Sequence, residues 1–346
     1  MFKIFRRITQ KPNIAVDLGT ANTRIYACDD GIIAEEPSLV RNIRQTENSD
    51  AYIAYLNSKL CSFPLRGGVV TDINTAVRLL SPLFRKIRMG LRHPATLACA
   101  PTDTSEKERK LLAEALLRSG ASHVAIIPEP WAAAIGAGMD VSVPYAQVII
   151  DIGEGVTDMA VIREGRLIHT AAIRTACADI HRSIRKALVS QHKVYLYPAE
   201  IEKLTRESDT AIPLDSLSQK RIQANGIHIA RRREESVEVI QTEVIVAMEP
   251  VISAILKMIG SHLRKLPGHI GAEITESGIC LTGGGACIKG LDQRIAAETG
   301  LHVTIAPDPV HAVINGATRT LQFWKDHESW WNRIDWPMVR TTSGVS

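Results

Sequence analysis

The stretch Ile14-Ala15-Val16-Asp17-Leu18-Gly19-Thr20-Ala21-Asn22-Thr23 returns later in the chain as Val148-Ile149-Ile150-Asp151-Ile152-Gly153-Glu154-Gly155-Val156-Thr157. In each copy three apolar residues lead into Asp, then Leu or Ile, Gly, three variable positions and Thr. Apolar runs bounded by small residues read as strands. A second strand-like run follows each copy, Arg24 to Ala27 and Met159 to Ile162. Turn residues come next, Asp29-Asp30-Gly31 and Arg163-Glu164-Gly165, and then a third run. The unit is a strand, a tight small-residue turn and a returning strand, present once in each half of the chain.

Such a turn has a specific chemistry. A strand that ends in Asp sets a carboxylate at the mouth of a cleft. The glycine lets backbone approach a ligand closely, and the N–H groups of the turn can donate to phosphate oxygens. One such turn reads as an ordinary hairpin, whereas a matched pair reads as a clamp on one polyphosphate. Carboxylates beside phosphate make sense when they hold hydrated Mg2+. A third glycine cluster, Leu281-Thr282-Gly283-Gly284-Gly285-Ala286, follows a strand and precedes the helical spacing of Ile288, Leu291 and Ile295. That is a place for backbone to lie along a nucleoside or phosphate.

Composition narrows the function classes. At 346 residues the chain fits two α/β lobes better than one small core. No apolar run approaches the roughly 18 to 20 residues that span a bilayer, and the N-terminus lacks the apolar stretch of a secretory signal. The expected location is the cytoplasm. The six cysteines show no CxxC spacing and the eleven histidines no HExxH pair, which disfavours a zinc site or a disulfide framework. The net charge of +4 is accounted for by Lys3, Arg6, Arg7 and Lys11, so it implies no nucleic-acid surface.

Local signals fill in the scaffold. Ser105 and Glu108 make a capping box, with Leu111, Leu112, Ala115 and Leu116 behind it and Gly120 as the stop. That helix feeds a strand from Val124 to Ile127, which delivers Glu129. The run from Glu243 to Leu266 reads as helix with a break, or a start, near Pro250.

These motifs together resemble the superfamily of actins, sugar kinases and heat-shock chaperone ATPases, and within it the MreB family of rod-shape-determining bacterial actin homologues. The resemblance covers roughly residues 12 to 322. It rests on the Asp17 to Thr23 turn, Pro64-Leu65-Arg66-Gly67-Gly68-Val69-Val70-Thr71-Asp72, Glu129-Pro130-Trp131-Ala132-Ala133-Ala134-Ile135-Gly136-Ala137-Gly138, the Asp151 turn, and the Leu281 to Ala286 run. It implies an α/β, actin-like ATPase fold of two lobes, each with a βββαβα ribonuclease H-like core and a small inserted subdomain. Lobe I would span 12–140 with an insertion near 33–63 and be completed by 313–324. Lobe II would span 141–312 with an insertion near 181–243.

The resemblance also implies ATP and Mg2+ in a cleft between the lobes. Nucleotide contacts would fall on Gly19, Thr20, Ala21, Asn22, Gly153, Glu154, Gly155, Val156, Lys203, Glu207, Gly283, Gly284, Gly285 and Ala286. Asp17 and Asp151 would hold Mg2+ through its water shell. Glu129 would orient or activate the attacking water, with Thr157 as a second catalytic residue; taken alone, Glu129 is also a good helix-starting acid. The chain departs from the family pattern in three places. Glu154-Gly155-Val156-Thr157 stands for Gly-Gly-Thr-Thr, and actins too carry an acid and a valine there. Ala176-Cys177-Ala178 stands for Gly-Gly-Asp. Lys203-Leu204-Thr205 stands for Lys-His-Glu, with Glu207 two positions away.

The implied function is a slow, polymerisation-coupled ATPase that forms head-to-tail filaments, single or paired, on the inner face of the cytoplasmic membrane. Its partners would be membrane proteins of cell-wall synthesis or morphogenesis. The alternative is an actin-like scaffold filament with weak or no ATP turnover. A sugar kinase or a chaperone on this fold needs a larger second lobe or a peptide-binding domain.

The two ends carry their own signals. In residues 1–11 Phe2, Phe5 and Ile8 fall on one helical stripe, with Lys3, Arg6 and Arg7 elsewhere, as a membrane-surface segment requires. Each cation near an anionic leaflet contributes roughly 1 kcal/mol, and many copies along a filament add up. The tail, 325–346, together with Trp324 holds four of the five tryptophans: Trp324, Trp330, Trp331 and Trp336. Packing back onto the protein is the reading we favour for it. Deleting residues 325–346 is then expected to lower the melting temperature and leave liposome binding unchanged; a membrane-contact role would give the opposite pair of results.

Overall fold

A computed structural model of the chain describes residues 13–27, 31–41, 61–87, 93–212, 220–324 and 341–342. The amphipathic segment 1–11 and the tryptophans at 330, 331 and 336 lie outside them. The chain divides into two compact units, Met1–Gly136 with Val313–Ser346, and Ala137–Ala312.

In the first unit the opening motif becomes β1 (Ile14–Leu18) and β2 (Asn22–Ala27), followed by β3 (Gly31–Pro37), an antiparallel meander. The pair β4 (Val40–Arg41) and β5 (Cys61–Ser62) brackets residues 42–60, which are outside those described; of the insertion expected near 33–63, residues 33–37 belong to β3 of the main sheet. A hairpin of β6 (Leu65–Arg66) and β7 (Val69–Val70) turns through Gly67 and Gly68, both at positive φ. Asp72 then caps α1 (Ile73–Lys86), accepting from the Thr75 N–H at 3.1 Å. Strand β8 (Ala95–Ala100) runs parallel to β1. The capping box forms as expected: Ser105 and Glu108 bond reciprocally at the start of α2 (Glu106–Ser119). That helix carries the chain to β9 (His123–Pro128), parallel to β8, and α3 (Glu129–Gly136) follows at once.

The second unit repeats the plan. Strands β10 (Gln147–Ile152), β11 (Thr157–Arg163) and β12 (Arg166–Ile173) make the meander. Its β11–β12 turn puts Glu164 at φ 51° and Gly165 at φ 73°, the primed geometry that matches strand twist. Next come α4 (Cys177–His192), β13 (Val194–Leu196), α5 (Pro198–Glu207), β14 (Arg221–His228) and β15 (Glu234–Ile240). The last two strands and β13 form a separate three-stranded antiparallel sheet. β14 alternates exposed and buried residues through Gly226, as a sheet with one wet face should. Two helices, α6 (Gln241–Leu263) and α7 (Gly268–Ser277), lead to β16 (Ile279–Thr282), parallel to β10; α8 (Leu291–Thr299) leads to β17 (Val303–Ile305).

The strand orders are β3-β2-β1-β8-β9 and β12-β11-β10-β16-β17, the same arrangement twice. In both, the antiparallel side is joined by tight turns and the parallel side by helical crossovers, as the two kinds of pairing demand. Finally α9 (Ala312–Trp324) returns the chain to the first unit, and β18 (Thr341–Thr342) pairs antiparallel with β9 at the sheet edge.

Each sheet buries its own core. Val148, Ile150, Ile152, Met159 and Val161 are fully buried with Ile180, Ile184, Ile255 and Ile259 in the second unit; Val16, Ile25, Leu80, Leu116 and Ile126 play this part in the first. Each such side chain contributes about 1.5–3 kcal/mol by leaving water.

Helix α6 corrects two expectations. It runs unbroken through Pro250, which is exposed, so the carbonyl deprived of its N–H partner faces the solvent side. It is also long and apolar enough, by length and composition, to cross a bilayer. Eleven of its residues are buried, among them Val244, Met248, Ile252, Ile255 and Ile259, which belong to the core of the second unit.

Close packing of α9 on α3 depends on one glycine. A Cβ on Gly316 would sit 1.7 Å from the Ala132 carbonyl oxygen and 2.9 Å from the Gly136 nitrogen. Gly316→Ala is expected to destabilise the protein by roughly 3 kcal/mol, since the obstacle is backbone. Denaturant unfolding monitored by circular dichroism would measure it.

Candidate functional site

Both Asp-Gly turns close in the same way. The Gly19 N–H donates to the Asn22 carbonyl at 3.1 Å, and the Gly153 N–H donates to the Val156 carbonyl at 2.9 Å. The same carbonyl crowds a side chain in each: a Cβ would lie 2.9 Å from Asn22 O at Gly19, too close without a shift, and 3.2 Å from Val156 O at Gly153, a tight contact. The ladder stops at Leu18 opposite Thr23 and at Ile152 opposite Thr157. Residues 20–21 and 154–155 therefore lie outside it, with N–H groups suited to anionic oxygen. Ligands in α/β sheets sit beyond the carboxyl ends of strands, and β1 and β10 both end here.

The first turn is braced from two sides. Ser38 donates from its hydroxyl to Gly19 O at 2.6 Å and from its backbone to Ala21 O at 2.8 Å, and its hydroxyl also meets Thr23 Oγ1 at 2.8 Å. The Gly68 N–H, at the tip of the β6–β7 hairpin, donates to Thr20 Oγ1 at 3.0 Å. The Pro64 to Asp72 motif thus stands against the turn that the sequence placed first. Asp17, 8% exposed, faces Arg24 across the β1–β2 ladder, and the Arg24 guanidinium approaches it at 3.4 Å while its Nε donates to Glu35 at 2.9 Å.

In the second turn Asp151, also buried, accepts from the Thr282 hydroxyl at 2.7 Å. Opposite it on β11 stands Asp158, fully buried. Glu154 lies 3.4 Å from His181 Nδ1 on α4. The unusual Ala176-Cys177-Ala178 loop starts that helix: the Cys177 N–H donates to Gly153 O at 3.2 Å and the Ala178 N–H to Glu154 O at 2.8 Å. Asp179 accepts the Ala176 N–H at 3.1 Å. Burial, with Glu154 and Asp151 nearby, pushes the Cys177 thiol far up, so it is an inert neutral core group. The hydroxyl of Thr157 donates to Thr175 O at 2.8 Å, tying β11 to the same loop.

Two of the three clustered glycines pack against this turn. Gly283, at φ +81°, would place a Cβ 2.3 Å from Ile152 O, and Gly285 would place one 2.3 Å from Ile152 Cγ2. Gly284 is exposed, with nothing within 4 Å of its Cβ position, and opens a short 3₁₀ turn that includes Ala286. Glu129, 8% exposed, is the first residue of α3, immediately after β9. Lys203 and Glu207 are exposed on α5.

The structure therefore gathers Asp17 to Asn22 with Arg24 and Ser38 in one unit. It gathers Asp151 to Thr157 with Thr282 to Ala286 in the other. Arg24, Ser38 and Asp158 escape a reading of motifs, and Thr282, though inside the glycine-cluster motif, is not singled out there as the partner of Asp151. Alternation on the hairpin places Arg24 and Asp158 opposite the two aspartates, a signal that the register alone supplies; nothing in the spacing points to Ser38.

The donors fit phosphate better than a directly ligated metal. Among the described residues no group of three or more His, Cys, Asp or Glu could hold a metal ion. Mg2+ keeps its waters and takes few carboxylates when phosphates share it, a demand that Asp151 can meet from the end of β10. A separate groove of about 330 Å³, lined by Gln147, Ser277, Cys280 and Ile305 among others, lies at the opposite, amino ends of β10 and β16 and is not part of this site.

The glycine geometry separates packing from ligand contact. Gly285→Ala is expected to cost about 1–3 kcal/mol of stability. Gly284→Ala is expected to stay within about 0.5 kcal/mol, yet to weaken nucleotide binding if backbone lies along the ligand there. Thermal melts of both variants, with and without nucleotide, would read the difference.

Comparison with known proteins agrees with this architecture. The sequence profile of the family described as MreB/Mbl protein matches residues 11–329. The cell shape-determining protein MreB of Escherichia coli (strain K12) is 28% identical over 337 residues, 93% of this chain and 96% of that protein. The cell shape-determining protein Mbl of Bacillus subtilis (strain 168) is 29% identical over 314 residues, 88% of this chain and 94% of that one. Among solved structures, MreB5 of Spiroplasma citri bound to AMPPNP superposes with a TM-score of 0.80 at 27% identity, covering 91% of this chain and 97% of its own. The MamK double helical filament gives 0.71 at 18% identity, covering 89% of this chain and 98% of its own, a likeness of fold. The chain is an actin-like protein and belongs to the MreB/Mbl family.

Proposed function

We propose that this protein binds ATP through its two Asp-Gly turns and polymerises head to tail into a cytoskeletal filament. That filament works on the inner face of the cytoplasmic membrane, where it helps set cell shape by organising wall synthesis. The observation that carries the reading is the duplicated turn: two hairpins of the same closure, each with an Asp at the strand end and loop N–H groups outside the ladder. Structures of MreB5 with AMPPNP and with ADP, similar over nine-tenths of this chain, support a nucleotide as the ligand. The cell shape-determining relatives support the cellular role.

Phosphoryl transfer needs positioning and charge stabilisation more than covalent chemistry from the protein. Thr20, Ala21, Asn22, Glu154, Gly155 and Val156 supply backbone donors to phosphate, and Gly284 offers exposed backbone beside them. Asp151, oriented by Thr282, is the carboxylate suited to the waters of Mg2+; the ion supplies charge neutralisation for the phosphates when bound. Glu129 orients the attacking water. Thr157, whose hydroxyl is given to Thr175, acts by holding the turn in shape. Lys203 and Glu207 are the candidate nucleoside contacts. Residues Phe2, Phe5, Arg6, Arg7 and Ile8 are assigned to the membrane, and membrane proteins of wall synthesis to its partners.

A second reading has its own observation. The loop that stands for Gly-Gly-Asp spends its N–H groups on the carbonyls of Gly153 and Glu154. A chain that lost nucleoside contacts there would serve as a scaffold filament with weak turnover. Pelleting in ATP, ADP or no nucleotide, alongside phosphate release, separates the two. The active filament is expected to pellet with ATP and to release phosphate slowly, and Glu129→Ala should cut release by roughly 100-fold. Pelleting indifferent to nucleotide and without phosphate release would establish the scaffold.

A further inference from the structure

Strand β12 is an edge strand of its sheet, and His169 stands on it opposite Val161 of β11. Directly opposed residues share a face of the sheet, and Val161 belongs to the core that Ile255 and Ile259 of α6 complete. Three residues beyond Ile259, and so on the same side of the helix, comes His262. The two imidazoles meet there: His169 Nε2 lies 3.1 Å from His262 Nδ1, with ring centroids 5.3 Å apart and planes tilted by 45°. Both rings are half-buried.

The surroundings decide how this contact takes up protons. Among the described residues the histidines paired with a carboxylate are His181, His192 and His311, and neither ring of this contact has such a partner. Charged side chains on the neighbouring elements are engaged elsewhere or face water. Arg163 of β11 forks onto Glu273 of α7, and Arg264 reaches Glu298 of α8. Arg166 at the start of β12, Lys257 on α6 and His269 on α7 are exposed. Lys265, just past the end of α6, acts on both rings. Burial first, and then Lys265, hold both imidazoles below the usual histidine range.

A neutral pair needs one N–H between the facing nitrogens. One added proton is tolerated, since it makes that bond charge-assisted. A second leaves both facing nitrogens as donors and sets two cations in contact with no acid to offset them.

We infer that the His169–His262 contact is a proton-sensitive clasp, which holds the end of α6 on the sheet edge at neutral pH and releases both segments in acid. The released form binds two protons where the clasped form binds one at most. Clasping is therefore complete above the ordinary histidine range and is lost as pH falls below it. Neither ring has a part in the proposed nucleotide site, so the inference stands apart from that reading.

The test is hydrogen exchange of the full chain, read by mass spectrometry at about pH 7.5 and about pH 5.5 and corrected for the intrinsic rate. Peptides covering 166–173 and 256–266 are expected to lose about tenfold in protection at the lower pH, while 14–27 changes by less than about threefold. His169→Gln keeps a side chain that can accept from a protonated His262 and cannot itself titrate. Its loss in acid is expected to shrink below about threefold. Wild-type protection that holds in acid at either peptide overturns the inference. A loss spread equally over 14–27 overturns it too, as does a folded His169→Gln variant that opens as the wild type does. If that variant fails to fold, an NMR titration of the wild-type imidazoles decides. Coupled steps below the ordinary histidine range uphold the clasp, and two independent titrations at or above that range overturn it.

Discussion

The structure depends on a three-residue problem solved twice: turning a buried strand back on itself at an acidic residue without blocking the space beyond it. Gly19 and Gly153 solve it by closing on the carbonyls of Asn22 and Val156, at distances that crowd any side chain, most severely at Gly19. Once that closure is set, β1–β2 and β10–β11 are in register, and their apolar faces must be covered. The meander on one side and helical crossovers on the other follow in both units, giving one strand order twice. Further glycines serve the same closure. Gly283 and Gly285 let the turn after β16 lie on Ile152, and Gly68 reaches Thr20 from its hairpin tip.

Duplication of backbone did not carry duplication of the facing residue. Side-chain positions along the two hairpins are equivalent, yet one Asp is met by Arg24 and the other by Asp158. Buried opposite charges attract strongly where water is excluded, and like charges must be managed by hydrogen bonds such as the one from Thr282 to Asp151. The fold thus supplies two cradles of the same backbone closure whose Asp residues face different neighbours across the ladder.

The fold was legible because its signals are local and repeat. The Ser105–Glu108 cap, the Glu164-Gly165 turn and the β10 and β11 runs each announce themselves within a few residues, and the repeat supplies the long-range pairing. Pro250 misled for a physical reason: proline breaks a helix only when the lost bond cannot be replaced, and here it lies on an exposed face. The apolar character of 241–263 was likewise the mark of a core helix, which composition alone does not separate from a spanning one. The site was legible where glycine spacing encodes it. It was illegible where it depends on register, as for Arg24 and Asp158, or on a side chain reaching back across a turn, as for Ser38. The Ala176 to Ala178 loop departs from the family pattern in its side chains, yet the N–H groups of Cys177 and Ala178 brace the second turn, a role that side-chain identity does not reveal.

The central claim is that the paired turns serve one nucleotide. Isothermal titration of the purified chain with a non-hydrolysable ATP analogue tests it most directly, run beside variants that crowd either turn, Gly19→Val and Gly153→Val, each first shown to be folded. The account expects one nucleotide bound per chain and loss of binding when either turn is crowded. Binding that survives in one crowded variant, or no binding by the wild-type chain, would contradict it.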